Sequence, residues 1–283
     1  MNRLLKREIA LTIARPQSFF VQLPNAVVVR NLRVTFDIEK NLKQDPNTCE
    51  VKVYNLSEAS RGELQVKPLH IRLDAGYDGK TERLFEGDLR FSQSKRQPTG
   101  WETTLQVGDG DRAHRYARIN KSFASGVNVR DAIGEVAKSM GLKVPASITE
   151  ARELAAQFTS GLSLRGPSQA ELAKLLRPHG FSHSIQDGRL QILRGSQARE
   201  VEAIVISQDT GLIGSPEFGT PDDKGGPPTL SLKTLLKPAV SPGGLIVVES
   251  QAISGTFRVE RVTHSGDTHG PEWYTAVEAK EFA

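Results

Sequence analysis

The sequence predicts a mainly β protein with an α+β insert: two tube-like β-barrel domains, residues 1–119 and 196–283, flanking a small α+β domain at 120–195. Three observations carry this. Both ends of the chain hold short runs that alternate apolar and polar residues, as in LRVTFDIEK and WYTAVEA, the period of a strand with one buried face. The middle changes to apolar residues three and four apart, the helical period. The two β regions also resemble each other, the signature of an internal repeat.

The elements follow in order. From residue 9 to about 107 the strand candidates are IALTI, FFVQL, AVVV, LRVTFDIEK, CEVKVYNL, LHIRLDAGY, LFEGDLRFSQS and WETTLQV, separated by gaps such as KQDPN and YDGK. Strands this short at this spacing indicate a barrel or sandwich. SEASRGELQ interrupts them with a helical turn that Ser57 can cap. GDGDR at 108–112 closes the region. In NVRDAIGEVAKSMGL, the residues Val129, Ile133, Val136, Ala137 and Met140 share one helical face, and Gly141 is placed to end the helix. SQAELAKLLRPHG opens with Ser168 and Glu171 at capping-box spacing and stops at Pro178 and Gly180. FSHSIQDGRLQILR places two apolar-alternating arms around Asp187-Gly188, a strong hairpin signal. After residue 200 come EAIVISQ, TLSLKTL, GGLIVVESQ, GTFRVERVT and WYTAVEAKEF. Residues 216–228, within PEFGTPDDKGGPPTL, are too rich in Pro and Gly for an element and read as a loop that orders on a neighbour.

The repeat is specific. Pro68 precedes LHIRLDA and Pro242 precedes LIVVES; Gly87 matches Gly255, Leu89 matches Phe257, and Arg90 matches Arg258. Trp101 and Trp273, the only two tryptophans, fall at the same point, with Thr103 and Thr275 at the same offset. A ring of n chains built from such pairs presents 2n similar units, so a trimer can mate with a sixfold ring on one side and a threefold object on the other.

Composition narrows the chemistry. With 37 basic and 33 acidic residues, a formal charge of +4 and a pI near 9.2, the chain lacks the clustered basic footprint of a dedicated nucleic-acid binder. The single Cys49 excludes an intrachain disulfide framework and a multi-cysteine zinc site, and in TCEVKV it reads as a core thiol. The apolar run after Lys6, Arg7 and Glu8 is too short for a signal peptide, and no stretch reaches the roughly 20 apolar residues of a membrane span. No G-x-S-x-G, Walker A or H-E-x-x-H motif occurs. GDGDR offers too few oxygens for a calcium loop.

One cluster invites a metal: HSGDTHGPEW holds His264, Asp267 and His269 within six residues. A structural zinc site needs four ligands, and the equivalent loop SKRQPTG has no histidine. The hairpin is therefore the shared feature, and the metal-dependent hydrolase using these three residues is the alternative reading. His70, His114, His179 and His183 stand in unlike contexts and read as structural histidines. Neither catalytic, cofactor-binding nor metal residues are assigned.

SGVNVRDAIGEVAKSMGL with GLSLRGPSQAELAKLLRPHGFSHSIQDGRLQIL resembles the middle domain of tail hub proteins of contractile-tailed bacteriophages. LLKPAVSPGGLIVVESQAISGTFRVERVTHSGDTHGPEWYTAVEA is similar to their C-terminal barrel, and LRVTFDIEKNLKQDPNTCEVKVYNLS to the opening strands of the first. The resemblance implies a structural baseplate hub in the virion, assembled in the host cytoplasm, without a cofactor. It implies a homotrimer forming a pseudo-sixfold ring, with the tail tube protein on one side, the central spike protein on the other, and further baseplate proteins around it. Its lumen would pass DNA or a tape-measure protein. A tube or spike component of the same particle is the near alternative, and the hub of a phage-tail-like particle a related role.

Overall fold

The computed structural model describes residues 6–15, 26–66, 68–219 and 227–282. They divide into two compact units: one holds the chain up to Leu42, Asn47–Gly108 and everything from Ala198 onward, the other Lys43–Pro46 with Asp109–Gln197.

The larger unit begins with β1 (Arg7–Ala14), β2 (Val27–Val29), β3 (Val34–Asn41), β4 (Thr48–Tyr54), α1 (Glu58–Glu63), β5 (His70–Tyr77), β6 (Lys80–Gln97) and β7 (Gly100–Gly108). Alternation fixes the faces: Val34, Phe36 and Ile38 of β3 and Cys49, Val51 and Val53 of β4 are buried. Ser57 caps α1, its hydroxyl accepting the Ser60 N–H at 3.2 Å.

The smaller unit contains α2 (Asp111–Arg115), β8 (Arg118–Phe123), α3 (Val129–Ser139), α4 (Ala146–Glu150), β9 (Leu162–Pro167), α5 (Ser168–Leu176), β10 (Phe181–Gln186) and β11 (Arg189–Arg194). Asn128 caps α3 by accepting the Asp131 N–H at 2.7 Å, and Gly141 follows its end at φ 70°. All five residues of the apolar stripe are buried in one core with Leu172, Leu176 and Ile185. The Asp187-Gly188 turn forms as expected, both residues at positive φ. The buried Asp109 of GDGDR accepts the N–H groups of Asp187 at 2.5 Å and Gly188 at 2.8 Å, so this one carboxylate locks the turn, while Asp111 pairs with Arg115. The capping box at Ser168 does not form: Pro167 is the N-cap, Ser168 lies inside the helix accepting a hydrogen bond from Ser139, and Glu171 pairs with Lys174.

The larger unit resumes with β12 (Ile204–Ser207), β13 (Leu212–Phe218), β14 (Leu230–Leu235), β15 (Leu245–Glu249), β16 (Ser254–Asp267) and β17 (Trp273–Glu281). Pro216–Phe218 belong to β13 rather than to a loop, with Pro216 in a bulge between Ile213 and Glu217. Proline is tolerated there because the bulge takes its residue out of the hydrogen-bonded register. Of the expected elements, FFVQL lies outside the described residues, as does most of the 216–228 segment.

The class is mainly β with an α+β insert, and the strands of the larger unit join in one path: β13-β14-β17-β16-β3-β4-β7-β6-β5-β1-β2, with β15 also on β16 and β12 on β15. The same order occurs twice in it. β3-β4-β7-β6-β5-β1 is repeated by β13-β14-β17-β16-β15-β12, antiparallel throughout except that β12 runs parallel to β15. Even the bulges correspond: one falls between Leu89 and Phe91 opposite Val107 and Gln106, the other between Val259 and Arg261 opposite Ala279 and Glu278. Trp101 and Thr103 thus match Trp273 and Thr275, as the sequence indicates. Leu89, however, matches Val259 rather than Phe257. A slip of two residues keeps every side chain on its own face, so an alternation pattern cannot detect it.

No closed barrel forms among the described residues of the larger unit, and the strands before and after the α+β insert share one sheet. Among the described residues the pairing is an open path that runs through both halves. The cause is the length of β16: residues 254–258 pair with β15, and 261–267 pair with β3. One strand therefore belongs to both halves, and Trp273 and Leu236 of the second pack into the core of the first. No helix among the described residues is long and apolar enough to cross a membrane.

Candidate functional site

The HSGDTHGPEW segment lies where the β16–β17 hairpin docks on β3 and β1. Gly266 faces both Phe36 and Trp273 in the ladder. A Cβ there would lie 2.4 Å from the Phe36 ring and 2.8 Å from Trp273, so the close approach demands glycine. Phe36 and Trp273 pack edge to face, with centroids 5.3 Å apart. The Arg7 guanidinium lies 5.6 Å from the Trp273 ring centroid. It also donates to the carbonyls of Asp267 at 3.2 Å, Gly270 at 2.5 Å and Pro271 at 3.1 Å, closing the loop onto β1.

The three candidate ligands are used separately. His264 is fully buried within the sheet, its Nδ1 2.9 Å from Thr275 Oγ1. Burial, reinforced by nearby Lys40, pulls its pKa down to about 3 and keeps the ring neutral. Asp267 accepts from Arg33 Nη2 at 2.7 Å and from the His269 N–H at 2.8 Å. Burial raises its pKa, but the Arg33 and backbone hydrogen bonds outweigh that and leave it below the ordinary carboxylate value. His269 is exposed, with Nδ1 2.9 Å from its neighbour Thr268. No group of three metal-ligating side chains occurs among the described residues. The cluster that invites a metal is the clamp between the two halves.

The repeat also explains His264. By register it is the counterpart of Ser94, and each makes one hydrogen bond of 2.9 Å to the matching threonine, Thr275 or Thr103. A buried polar pair is thus kept in both halves with different chemistry on one side. Arg7, Arg33 and Phe36 carry no local signal in the sequence, because their partners lie more than 200 residues away.

The other histidines divide by environment. His183 is buried, and burial with nearby His114 lowers its pKa to about 4. His70 on β5 lies 3.1 Å from Glu86 and 3.3 Å from Asp88 on β6. Burial opposes its protonation, but the hydrogen bonds to Asp88 and Glu86 prevail and raise its pKa to about 9. A raised folded-state pKa contributes stability that is complete below the unfolded value near 6.5 and lost as pH rises through 9. Unfolding titrations between pH 7 and 10 should therefore show a decline on the order of 2 kcal/mol, absent in His70→Gln. An unchanged slope in the variant would remove this role.

The fold has solved counterparts. A 43 kDa tail protein of prophage MuSo2 from Shewanella oneidensis is similar with TM-score 0.63 at 11% identity over 97% of each chain. A tail protein from Neisseria meningitidis MC58 matches with TM-score 0.60 at 13% identity over 96% of each. An Escherichia coli component of the type VI secretion system matches with TM-score 0.60 at 10% identity, over 89% of this chain and 74% of that one. At such identities these likenesses establish the fold. No curated protein matches the sequence. Residues 9–279, which span both strand halves and the clamp, match the family described as Baseplate hub gp41. The chain belongs to that family and is a structural protein of the phage tail baseplate.

Proposed function

We propose that this chain is the central hub of a contractile tail: a homotrimer whose six strand halves form a pseudo-sixfold ring joining the sixfold tail tube to the threefold central spike. The observation that carries this reading is the strand order repeated within one unit, bulge for bulge. Three chains with two like halves each present six similar faces to a tube and keep threefold symmetry for a spike. The type VI component that shares the fold is itself described as similar to the T4 tail proteins gp27 and gp5, which supports spike and baseplate proteins as neighbours. The lumen of such a ring passes DNA or a tape-measure protein, and concentrated Lys and Arg there would retard DNA by phosphate contacts. In this reading residues 1–119 and 196–283 supply the two like halves, and 120–195 is the α+β domain between them in sequence.

Mass measurement of the assembled protein, with imaging of the intact particle, tests this. Three copies on the axis between tube and spike are expected. Six copies would make the chain a tube ring instead.

A further inference from the structure

We propose that neighbouring chains join by antiparallel pairing of the outer edge of β6, residues 93–97, with the outer edge of β13, residues 213–219, repeating between molecules the β16–β3 junction found within one. The inference rests on the trimeric-ring reading and names the surface that builds it.

The two halves share one strand order, so each has a counterpart of every edge. Within the chain, the second part of β16 pairs with β17 on one side and with β3 of the other half on its opposite side. Its equivalent, the second part of β6, pairs with β7 on one side only; among the described residues its opposite edge has no partner strand. The equivalent of β3 is β13, which ends the strand path and among the described residues has no partner strand on its outer edge. The two edges lie in different halves, so the contact is heterologous and closes only into a ring.

The register of the internal junction transfers residue by residue. Ser265 faces Asp37 and His264 faces Ile38. Shared pairing with β7 and β17 makes Lys95 and Ser94 the equivalents of the first pair member in each case. Pairing through β4 and β14 makes Glu217 and Phe218 the equivalents of Asp37 and Ile38. The transferred register thus sets Lys95 opposite Glu217, two exposed residues of opposite charge, the favourable cross-strand combination. It places Arg96 opposite the Gly214–Pro216 bulge, which has no large ring corresponding to Phe36. This explains why Arg96 stands where the internal junction requires Gly266.

Exposure agrees. Phe91 is 43% exposed, Ile213 36% and Phe218 48%, large apolar side chains along the two edges. Trp273 seals the internal junction at 1% exposure, whereas its equivalent Trp101 is only half buried. Trp101 is covered on one face by Arg61, so the exposed Phe91, Ile213 and Phe218 are what mark the two edges as a surface for a second copy. The bulge and Pro216 interrupt the β13 edge, so it pairs with a matching strand rather than with any exposed edge.

The test is a full-length chain carrying Lys95→Cys and Glu217→Cys, with the buried Cys49 replaced by alanine, oxidised with copper phenanthroline in the assembled state. Covalent species of two and three chains on a non-reducing gel are expected. Arg96→Cys with Glu217→Cys, one residue out of register and on the opposite face, should give none. A trimer by mass without these crosslinks overturns the edge pairing and leaves the trimeric hub standing; a protein that never oligomerises overturns both. Should the cysteine variant fail to fold, charge reversal decides: Lys95→Glu loses the trimer, and adding Glu217→Lys restores it. A trimer indifferent to both reversals overturns the pairing.

Discussion

Replacing Trp273 by alanine is expected to cost roughly 3–5 kcal/mol, the range for a buried aromatic truncated in a packed core. That is a large share of the roughly 5–15 kcal/mol that holds a domain folded. Trp273 is sealed against Phe36, is capped by Arg7, and begins the strand that completes the hairpin. The cavity opens at the clamp, so β1, β3, β16 and β17 all lose packing together. Trp101→Ala provides the contrast. Trp101 is only partly buried, with Arg61 3.9 Å from its ring centroid, so its truncation opens no sealed cavity and forfeits less packing together with a cation–π contact of about 0.5–1 kcal/mol. Denaturant unfolding of the full chain should separate the two tryptophans by several-fold. Equal costs would refute the assignment of the clamp to Trp273.

Acidification is the second large effect. His264 and His183 have folded pKa values near 3 and 4 against 6.5 in the unfolded chain. The unfolded state therefore binds protons first as pH falls. Stability is complete above about 6.5 and lost progressively below it, at about 1.4 kcal/mol per pH unit for each histidine. Below about pH 5.5 His70 is protonated in the unfolded as well as the folded chain, so from there to about 4.5, where the unfolded carboxylates remain largely ionised, the two buried rings dominate the slope. Each lies in a different unit, so His264→Gln should flatten the acid loss of the strand unit and leave that of the α+β unit. Glutamine can still reach Thr275, which keeps the variant folded for comparison. A slope in the strand unit unaffected by His264→Gln would mean that another group titrates there.

Much of the architecture was legible locally. Helix α3 could be read because its apolar period and its terminal Gly141 lie within one short segment, and the Asn128 cap seen in the structure adds to them. The β10–β11 hairpin was legible for the same reason: Asp187 and Gly188 take the positive φ that this turn needs. The internal repeat was visible through two tryptophans and two threonines, because the docking of a hairpin on its neighbour constrains those positions. Its register was not. An alternating pattern is unchanged by a two-residue slip, and only the bulges opposite Gln106 and Glu278 fix the alignment. The Ser168 capping box shows the opposite error: the spacing was present, but the helix starts one residue earlier and Ser168 and Glu171 bond to Ser139 and Lys174 instead.

The clamp marks the boundary between the two kinds of information. By itself the sequence determined which segments are strands and helices, which face each buries, and that one half copies the other, since these follow from hydrophobic period and turn chemistry within a few residues. Only the tertiary structure decided that His264, Asp267 and His269 serve separate partners, that Arg7 and Arg33 reach across more than 200 residues to hold the loop from Asp267 to Pro271, and that β16 unites two halves in one sheet. Those outcomes depend on which strand edges meet, and edge pairing is made by backbone hydrogen bonds that every residue type except proline can supply.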